Sequence, residues 1–498
     1  MIKRILIANR GEIAVRIIKA CREMGIASIA VYSDDDKQSL HVRHADEAYY
    51  LGPSPASESY LSIPKIIDLA LKTNADAIHP GYGFLSEKAE FIKAVEDSGI
   101  IFIGPSSESV EKMGGKTSAR KLMNKHNVPI VPGTIESVST VPEAVKIAEE
   151  IGYPVMIKAA AGGGGKGMRK VNASSELESA FHLASNEALK SFGNQEIYIE
   201  KFIEDPKHIE VQIIADKHGN YAHLFERECS VQRRHQKVVE EAPSVSVDHE
   251  IREKLTTSAL NAAKACGYYN AGTVEFLLDK KKNVYFLEMN TRLQVEHPVT
   301  ELITGIDIVK EQIRIAAGEK LSFRQEDIRI NGHAIECRIY AEDVENNFSP
   351  SIGQILHHRL PSGPGIRIDR GIDVLSKVSV YYDPMLSKVI AYGKNRDESI
   401  QRMKLALGAY QIVGVITNIH AFRWVLSRES FLNGSFDINF IEKEFMPLLP
   451  GKWKEYDAAE YENAVSILAA LLKNKESEFK SETPCFSKSN KWIEKRYE

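Results

Sequence analysis

The sequence has few cysteines and no excess of either charge. Its 498 residues include only 5 cysteines, none of them in a CxxC pair, and the odd number argues against a disulfide framework. The 64 lysines and arginines are balanced by 68 aspartates and glutamates, so the net charge of −4 gives no sign of the basic surface that nucleic-acid binding needs. Both absences favour a protein of the reducing cytoplasm with no nucleic-acid partner.

Long hydrophobic runs are absent as well. No stretch approaches the ~18 apolar residues of a membrane-spanning helix, and the apolar run in the N-terminal MIKRILIANRGE is too short for a signal-peptide core. Hydrophobic residues make up 43% and charged residues 27% of the chain, which is ordinary for a soluble globular protein. We therefore expect a cytoplasmic protein without a membrane partner and, at ~100–200 residues per domain, roughly three domains.

Short apolar runs alternate with helical patterns in the N-terminal part of the chain. Strands are predicted at Ile5–Ala8, Ala27–Val31, Ala75–Ile78 and Ile100–Ile103, with amphipathic helices between them. This alternation predicts a parallel sheet. Ligand sites on such sheets lie at the carboxyl ends of the strands, where the loops NRGE and HPGYGFLSE follow the first and third predicted strands.

The segment TVEFLLDKKKNVYFLEMN predicts two antiparallel strands joined by a turn at 280–283. If Asp279 pairs with Val284, then Glu275 lies directly opposite Glu288 on the same face. Cross-strand partners are ~4.5–5.5 Å apart, so two like charges there are destabilising unless a cation lies between them. Carboxylate oxygens favour a hard ion such as Mg²⁺, which often contacts substrate phosphates too.

Polar side chains occupy every second position of the second strand and of the segment after it. While the chain stays extended, these side chains point to one side: Glu288, Asn290, Arg292, Gln294 and Glu296. The alternative is the solvated face of an ordinary sheet, which is typical of alternating charge. The functional interpretation is favoured because the row faces a second acid and mixes asparagine, arginine and glutamine.

The most glycine-rich segment is KAAAGGGGKGM. It lacks the GK[ST] of a P-loop and does not open the first strand–helix unit as a dinucleotide-binding loop does. Consecutive glycines let backbone N–H groups approach phosphates, and Lys158 and Lys166 add positive charge, so a phosphate-covering flap and a flexible linker are equal alternatives. Further along, His208, His235 and the basic run after Gln232 favour an anion site when they are taken together.

These segments together resemble the biotin carboxylases of the ATP-grasp family. The resemblance reaches about residue 446 and includes ILIANRGEIA, HPGYGFLSE, KAAAGGGGKGM, FERECSVQRRHQKVVEEAP, FLEMNTRLQVEHPVTE, ECRIYAED and YYDPMLSKVI. It implies a mixed α/β and α+β fold in three parts: a pre-ATP-grasp domain at 1–115, an ATP-grasp domain at 116–331 with a mobile lid at about 131–203, and a C-terminal biotin carboxylase domain at 332–446. A helical, polar extension would follow at 447–498.

The resemblance also implies an activity: ATP-dependent carboxylation of biotin by bicarbonate, through carboxyphosphate. The catalytic residues would be Lys237, Arg292, Glu296 as the base and Arg338 as the group that stabilises the biotin enolate. ATP would be bound by Lys116, Lys158, Gly164, Gly165, Met168, Glu200, Lys201, Ile203, His208, Gln232, His235, Leu277 and Glu288. Bicarbonate and biotin would be bound by Lys237, Arg292, Gln294, Val295, Arg338 and Tyr82. Mg²⁺ or Mn²⁺ would be bound by Glu275, Glu288 and Asn290.

The lysine between two methionines to which biotin is attached, as AMKM or VMKM, does not occur in the sequence. We therefore expect biotin on a separate carrier protein, a separate carboxyltransferase subunit, and a homodimer of this chain. The acyl acceptor would be acetyl-CoA, as in fatty acid biosynthesis, or propionyl-CoA. The alternatives are the same role in a two-subunit pyruvate carboxylase, another ATP-grasp ligase such as an amino-acid ligase, and a non-catalytic nucleotide-binding scaffold. The extension is either a helix packed on its own domain or a docking element.

Overall fold

The computed structural model describes residues 2–159, 168–193 and 195–452. The chain forms two compact units, Met1–Pro447 and Leu448–Glu498, of which the second is described only to residue 452. The lid glycines Gly164 and Gly165 and most of the predicted C-terminal extension lie outside the described residues. No helix in the described part is long and apolar enough to cross a membrane.

The N-terminal sheet is parallel, as the alternation of strands and helices predicts, with the strand order β3-β2-β1-β4-β5. Its strands are β1 (Arg4–Ile7), β2 (Ala27–Ser33), β3 (Glu47–Gly52), β4 (Ala77–His79) and β5 (Ile101–Phe102). The helices of this part are α1 (Gly11–Glu23), α2 (Leu40–His44), α3 (Ile63–Lys72), α4 (Ala89–Asp97) and α5 (Ser107–Gly114). Because β1 and β4 are neighbours, their two loops meet, and the Asn9 amide donates to the carbonyls of Pro80 and Tyr82.

An ion pair between half-buried Arg10 and buried Asp36 fixes the loop after β1. The Arg10 guanidinium donates to both carboxylate oxygens of Asp36 at 2.6 and 2.7 Å, and the Tyr60 hydroxyl donates to the same carboxylate at 2.7 Å. Burial alone would raise the pKa of Asp36, but the charge and hydrogen bonds of Arg10 outweigh it and hold this pKa well below its usual range. The ionised pair therefore stabilises the fold at neutral pH.

We expect Asp36→Asn to lower the free energy of unfolding by about 3–5 kcal/mol at pH 7, because it leaves the Arg10 charge without its partner. Since the folded-state pKa of Asp36 lies below its unfolded value of ~3.9, the contribution is present above about pH 4 and is lost as the pH falls further. The difference between the variant and the wild type should therefore narrow below that pH. Urea unfolding across the pH range measures it, and a difference that stays constant with pH would contradict this role.

The second part of the chain begins with a small antiparallel sheet of order β7-β6-β8. Its elements are α6 (Lys116–Lys125), α7 (Val141–Ile151), β6 (Val155–Ala159), β7 (Met168–Val171), α8 (Ser174–Phe192) and β8 (Ile197–Lys201). Buried Val155, Ile157 and Ile199 of this sheet pack with Ala144 of α7 and Phe181 of α8 in a separate hydrophobic cluster. A core of its own suits the segment predicted as a lid, because such a unit can keep its structure if it moves.

The main sheet has eight strands in the order β13-β12-β9-β10-β11-β14-β21-β19, and all neighbours are antiparallel. Its first strands are β9 (Lys207–Ala215), β10 (Tyr221–Arg233), β11 (Gln236–Ala242), β12 (Asn270–Leu278) and β13 (Val284–Asn290). The helices of this part are α9 (His249–Cys266), α10 (His297–Thr304) and α11 (Ile308–Ala316). The sheet continues past residue 332, so that the predicted second and third domains share it.

The remaining elements belong to the third part of the chain. Its strands are β14 (His333–Tyr340), β15 (Glu342–Asp343), β16 (Ser349–Pro350), β17 (Gly353–Gln354), β18 (His357–Arg359), β19 (Ile366–Arg370), β20 (Lys377–Val378), β21 (Met385–Gly393) and β22 (Gln411–Val413). Its helices are α12 (Arg396–Ala409), α13 (Ile419–Val425) and α14 (Glu429–Leu432), followed by a π-helical turn at Ile441–Phe445. Strands β14 and β21 extend the main sheet, and β14 pairs directly with β11.

The hairpin of β12 and β13 places Glu275 opposite Glu288, as predicted, but through a different register. The predicted pairing of Asp279 with Val284 is wrong, because Leu278 pairs with Val284. Between the pair Phe276–Phe286 and the pair Glu275–Glu288, a bulge inserts one extra residue on β13 and shifts the register back by one. Two departures from the expected hairpin thus cancel at the position that matters.

The prediction of an extended chain from Glu288 to Glu296 is also wrong. Strand β13 ends at Asn290, and the chain then turns through residues 291–296 into α10. Period-two alternation therefore does not explain why the polar side chains of this segment converge. Their arrangement depends on hydrogen bonds within the turn.

Candidate active site

The centre of the candidate site is the ammonium group of Lys237 on β11. It contacts carboxylates from three other segments: Glu210 on β9, Glu275 on β12 at 2.8 Å and Glu296 before α10 at 2.8 Å. Burial alone would lower the pKa of Lys237, but these acids outweigh it and hold the pKa well above its usual value. Lys237 is therefore a largely enclosed cation that cross-links three other segments.

Glu275 is the most heavily hydrogen-bonded acid of this cluster. Besides Lys237, its carboxylate accepts from the amides of Asn290 at 2.9 Å and Gln294 at 3.3 Å, and it lies 3.0 Å from the imidazole of His208. Burial would raise the pKa of Glu275, but Lys237 and His208 hold it well below the usual range. Glu275 is consequently ionised and concentrates negative charge beside Lys237.

The turn after β13 is organised by Arg292. Its guanidinium donates to the Asn290 and Gln294 side-chain oxygens at 2.9 Å each, and to Glu87 at 2.7 Å. These bonds bring Asn290, Arg292 and Gln294 to the same place although the strand has ended. The predicted convergence of these three side chains is therefore present, with a different physical cause from the one predicted.

Glu296 is fully buried between two cations. Lys237 approaches one carboxylate oxygen at 2.8 Å and Arg338 on β14 approaches the other at 2.9 Å. Burial would raise the pKa of Glu296, but Lys237, Arg338 and Arg227 together hold it well below its usual value. Glu296 is therefore ionised at neutral pH, which is the protonation state that a base requires.

Two buried charged residues of the site were not among those predicted from the sequence. Glu240 accepts from Arg338 Nε at 2.6 Å, and Arg227 is fully buried against Glu210. The spacing of His208 and Glu210 by two residues on one predicted strand could have indicated that Glu210 shares a face with His208. No comparable signal marks Arg227 or Glu240, whose partners are brought close only by the sheet.

The residues predicted to bind ATP divide between the small sheet and the main sheet. In the small sheet, Lys158 on β6 forms an ion pair with Glu200 on β8, which also accepts from Arg120 at 3.1 Å. In the main sheet, the Gln232 amide lies 2.8 Å from the ring of His208. These contacts link Gln232 and His208 to the Lys237 cluster through Glu275.

The other predicted ATP residues make fewer contacts with that cluster. Lys201 donates to the carbonyls of Gly152 and Tyr153 at 2.9 and 3.0 Å. Three others lie at the ends of elements: Lys116 begins α6, Met168 begins β7 and Ile203 follows β8. Leu277 is half-buried within β12, and His235 is exposed in the turn between β10 and β11.

The basic run after Gln232 does not act as one patch. Arg233 donates to both oxygens of Glu342 at 3.0 and 3.1 Å, and Arg234 donates to Asn347 at 3.2 Å. Only Lys237, further along β11, reaches the cluster of acids. The first two arginines therefore anchor the β10–β11 turn to the third part of the chain.

Two sets of three side chains in the site are close enough together to hold a metal cation. His208, Glu210 and Glu275 have ligand atoms within 4.8 Å of one another, as do Glu210, Cys229 and Glu296. The predicted trio differs, since it combines Glu275 with Glu288 and Asn290. Glu288 is exposed and directly opposite Glu275, so its carboxylate is accessible to a ligand on that face. Carboxylate and amide oxygens are the ligands that Mg²⁺ prefers, and the three predicted side chains are of these types.

Three family models match the chain. They are "Biotin carboxylase, N-terminal domain" over residues 1–110, "Carbamoyl-phosphate synthase L chain, ATP binding domain" over residues 115–324, and "Biotin carboxylase C-terminal domain" over residues 336–443. Their order along the chain is the order that the resemblance implied.

Curated relatives agree with these matches. The chain is 52% identical over 443 residues to biotin carboxylase 1 of Bacillus subtilis, covering 89% of this chain and 98% of that protein. It is 51% identical over 443 residues to a pyruvate carboxylase subunit of Methanothermobacter thermautotrophicus, covering 89% and 90%. It is 54% identical over 472 residues to the mitochondrial propionyl-CoA carboxylase alpha chain of Sus scrofa, covering 94% of this chain but 64% of that one.

Solved structures share the fold. The biotin carboxylase domain dimer of 2-oxoglutarate carboxylase from Hydrogenobacter thermophilus, in complex with MgADP, ADP and bicarbonate, is 49% identical with a TM-score of 0.84, over 89% of this chain and 97% of that one. The biotin carboxylase of Campylobacter jejuni in its β,γ-ATP complex is 46% identical with a TM-score of 0.86, over 89% and 99%. The sequence, the fold and these likenesses agree that the chain belongs to the biotin carboxylase family of ATP-grasp ligases.

Proposed function

We propose that this chain carboxylates biotin with bicarbonate at the expense of ATP. The observation that carries the proposal is Glu296, a fully buried and ionised carboxylate between the cations Lys237 and Arg338. Such a group is unprotonated at neutral pH, as the base of this reaction must be, and the two cations beside it would attract the bicarbonate anion. The family to which the chain belongs performs this reaction, and the likeness covers 98% of the Bacillus protein.

The first step would activate bicarbonate. Lys237, Arg292, Gln294 and the backbone at Val295 would hold the anion, since two cations and an amide surround the turn that carries Glu296. Glu296 would take the bicarbonate proton while a bicarbonate oxygen attacks the γ-phosphorus of ATP. The new P–O bond gives carboxyphosphate, and the bond from that phosphorus to the bridging oxygen breaks to release ADP.

The nucleotide would lie between the small sheet and the main sheet. Lys158, Glu200 and Lys201 belong to the small sheet, while His208, Gln232 and Leu277 belong to the main sheet. Glu275, Glu288 and Asn290 would hold Mg²⁺ or Mn²⁺. A bound divalent ion offsets the negative charge of the phosphate oxygens during transfer. Lid glycines 164 and 165 would cover the phosphates and keep water from carboxyphosphate, which hydrolyses readily.

The second step would transfer the carboxyl group. Carboxyphosphate breaks its C–O bond to give CO₂ and phosphate, and the phosphate takes the N1 proton of biotin. Arg338 would stabilise the negative charge on the ureido oxygen, and N1 then bonds to CO₂. Tyr82, in the loop after β4, would lie on the biotin side of the site. Carboxybiotin and phosphate are the products.

We further propose that biotin is presented by a carrier protein on a separate chain, in a cytoplasmic complex that also contains a carboxyltransferase subunit, with the present chain forming a homodimer. Supporting this arrangement, two relatives of nearly the same length are named as a biotin carboxylase and as one subunit of a pyruvate carboxylase. We favour acetyl-CoA or propionyl-CoA as the final acceptor. The half-reaction at this site is the same if the acceptor is pyruvate, as the name of the Methanothermobacter relative indicates for that protein.

The purified chain tests the proposal directly. ADP release is measured with Mg²⁺, ATP and bicarbonate, with and without free biotin and with an added biotinyl carrier domain. Release that biotin or the carrier stimulates, and that requires bicarbonate, is the expected result. ATP binding without stimulation by either acceptor would favour another ATP-grasp ligase, while absence of ATP binding would contradict the whole proposal.

Lys237→Gln should chiefly weaken the steps that depend on bicarbonate. The amide keeps a hydrogen-bond donor but removes the positive charge, and we expect the bicarbonate KM to rise by about tenfold or more with ATP binding retained. Steady-state ADP release against bicarbonate concentration measures it. A bicarbonate dependence that matches the wild type would remove Lys237 from the bicarbonate site.

A further inference from the structure

A second buried lysine lies beside the turn that carries Glu296. Lys388 is on β21, and its side chain is fully buried. Its ammonium group donates to the carbonyl oxygen of Val295 at 2.7 Å and lies 3.2 Å from the carboxylate of Glu12 at the start of α1. One cation thus joins the N-terminal helix, the main sheet and the turn before α10.

Glu12 continues this set of contacts toward the other side of the site. Its carboxylate accepts a hydrogen bond from the hydroxyl of Tyr82, in the loop after β4. The backbone of Glu12 packs closely against Gly371, because a Cβ on that glycine would lie 2.7 Å from the Glu12 backbone nitrogen. A continuous path of polar contacts therefore runs from Tyr82 through Glu12 and Lys388 to Val295.

The charges around Lys388 keep it ionised. Burial alone would lower the pKa of Lys388, but Glu12, Glu336 and Asp369 outweigh it, and the pKa is raised. An ammonium group in a protein interior loses several kcal/mol of hydration. The ion pair with Glu12 offsets part of that loss, as a purely structural lysine would. Lys388 also donates to the backbone carbonyl of Val295, in the middle of the segment 294–296, and an ion pair with Glu12 alone does not explain this second contact.

We propose that Lys388 and Glu12 are positioning residues that hold the Gln294–Glu296 turn and the Tyr82 loop in one fixed arrangement. This inference rests on the proposed function, which assigns the turn to bicarbonate binding and Tyr82 to the biotin side of the site. Lys388 would fix the backbone between the amide that binds bicarbonate and the base that deprotonates it. Glu12 would fix the Tyr82 hydroxyl. The pair would therefore affect both of these substrates and leave the nucleotide unaffected.

Lys388→Met keeps most of the length of the side chain and removes its charge and its donors. We expect biotin-dependent turnover to fall by about tenfold or more, with higher KM values for bicarbonate and for biotin, because small displacements of reacting groups are costly. The ATP KM should stay within about twofold of the wild type. Lys72→Met, which removes an exposed lysine paired with Asp68 on α3, is the control and should leave all three KM values unchanged. Equal increases in all three KM values, or no change in any, would overturn the proposal.

The single change could prevent folding, since it leaves Glu12 without its cation. The double variant Glu12→Ala/Lys388→Met removes both members of this ion pair, so that Glu12 is no longer left as a buried acid without its cation. Tyr82→Phe is then compared in the wild type and in the double variant. If the path of contacts operates, Tyr82→Phe should raise the biotin KM in the wild type by several-fold and have little further effect in the double variant. Effects that simply multiply would overturn the proposal.

The wild-type measurement separates this inference from the proposed function. Absence of biotin-stimulated and carrier-stimulated ADP release by the wild type would overturn the proposed function itself. Normal wild-type activity combined with unchanged bicarbonate and biotin KM values in the variants would overturn only the roles of Lys388 and Glu12. Thermal unfolding of each variant accompanies the kinetics, so that only folded protein is compared.

Discussion

Replacement of Glu296 by glutamine is expected to lower biotin-dependent ADP release by about 10²–10⁴-fold, the range that a general base contributes. Glutamine has nearly the same shape, so the turn before α10 can be kept. It cannot take the bicarbonate proton, and it no longer matches the two cations Lys237 and Arg338 that contact the carboxylate. ATP binding should remain, because the predicted nucleotide contacts lie on other residues. Steady-state ADP release and calorimetric titration with ATP measure the two quantities.

A matched control is available in the same sheet. Glu226 on β10 is also fully buried and accepts two hydrogen bonds from the Arg252 guanidinium, at 2.9 and 2.7 Å. Glu226→Gln should change thermal stability to a similar extent and leave turnover within about twofold of the wild type. Near wild-type turnover by Glu296→Gln would show that the base is another group. A similar loss in both variants would indicate general damage to the sheet.

The hairpin shows how far residue patterns could predict this fold. The alternation of apolar and polar residues identified β12 and β13, and the acids Glu275 and Glu288 were expected to face each other. The predicted pairing at the turn was wrong by one residue, and the bulge that compensates for it has no signature in the pattern of apolar and polar residues. Register at a turn depends on local backbone geometry, whereas the face of a strand depends on burial, which the pattern does report.

The turn after β13 shows a different limit. The polar residues Asn290, Arg292 and Gln294 were expected on one side of a strand, and they do converge, although the chain is no longer extended there. Residue spacing predicted the right set for an incorrect reason. Their side chains meet because the Arg292 guanidinium has enough donors to bind both amides, which is a property of residue type rather than of period.

Buried charges on distant segments could not be predicted at all. Arg227, Glu240 and Lys388 are each far along the chain from the groups they contact, and nothing in their local sequence distinguishes them from surface residues. Glu240 meets Arg338 because β11 and β14 are adjacent in the eight-stranded sheet, and Arg227 lies opposite Glu210 on the neighbouring strand β9. Lys388 instead meets Glu12 on α1, outside that sheet. The charged residues proposed to contact the substrates were predicted from the family resemblance. The buried charges that contact those residues became visible only in the folded structure.

Arg338→Lys is expected to lower biotin-dependent turnover by about 10²–10³-fold, the range for loss of a group that stabilises a developing oxyanion. The guanidinium contacts Glu240 through Nε at 2.6 Å and Glu296 through a terminal nitrogen at 2.9 Å. A single ammonium group cannot contact both carboxylates with this geometry, so lysine would keep the positive charge but would not hold it in the same position. Any ADP release that bicarbonate supports without biotin should persist. Arg252→Lys, beside buried Glu226, makes the same change outside the site and should leave both rates unaffected.

The two variants together distinguish the steps of the reaction. Glu296→Gln should lower ADP release with and without biotin, because the base acts before biotin is needed. Arg338→Lys should lower only the biotin-dependent part, since its charge is required when the ureido oxygen becomes negative. If Arg338→Lys lowers both rates equally, the arginine acts mainly by holding Glu296, and the 2.9 Å contact between them is its principal role. In that case another cation must stabilise the biotin oxyanion, and Arg338 would become a positioning residue of the base.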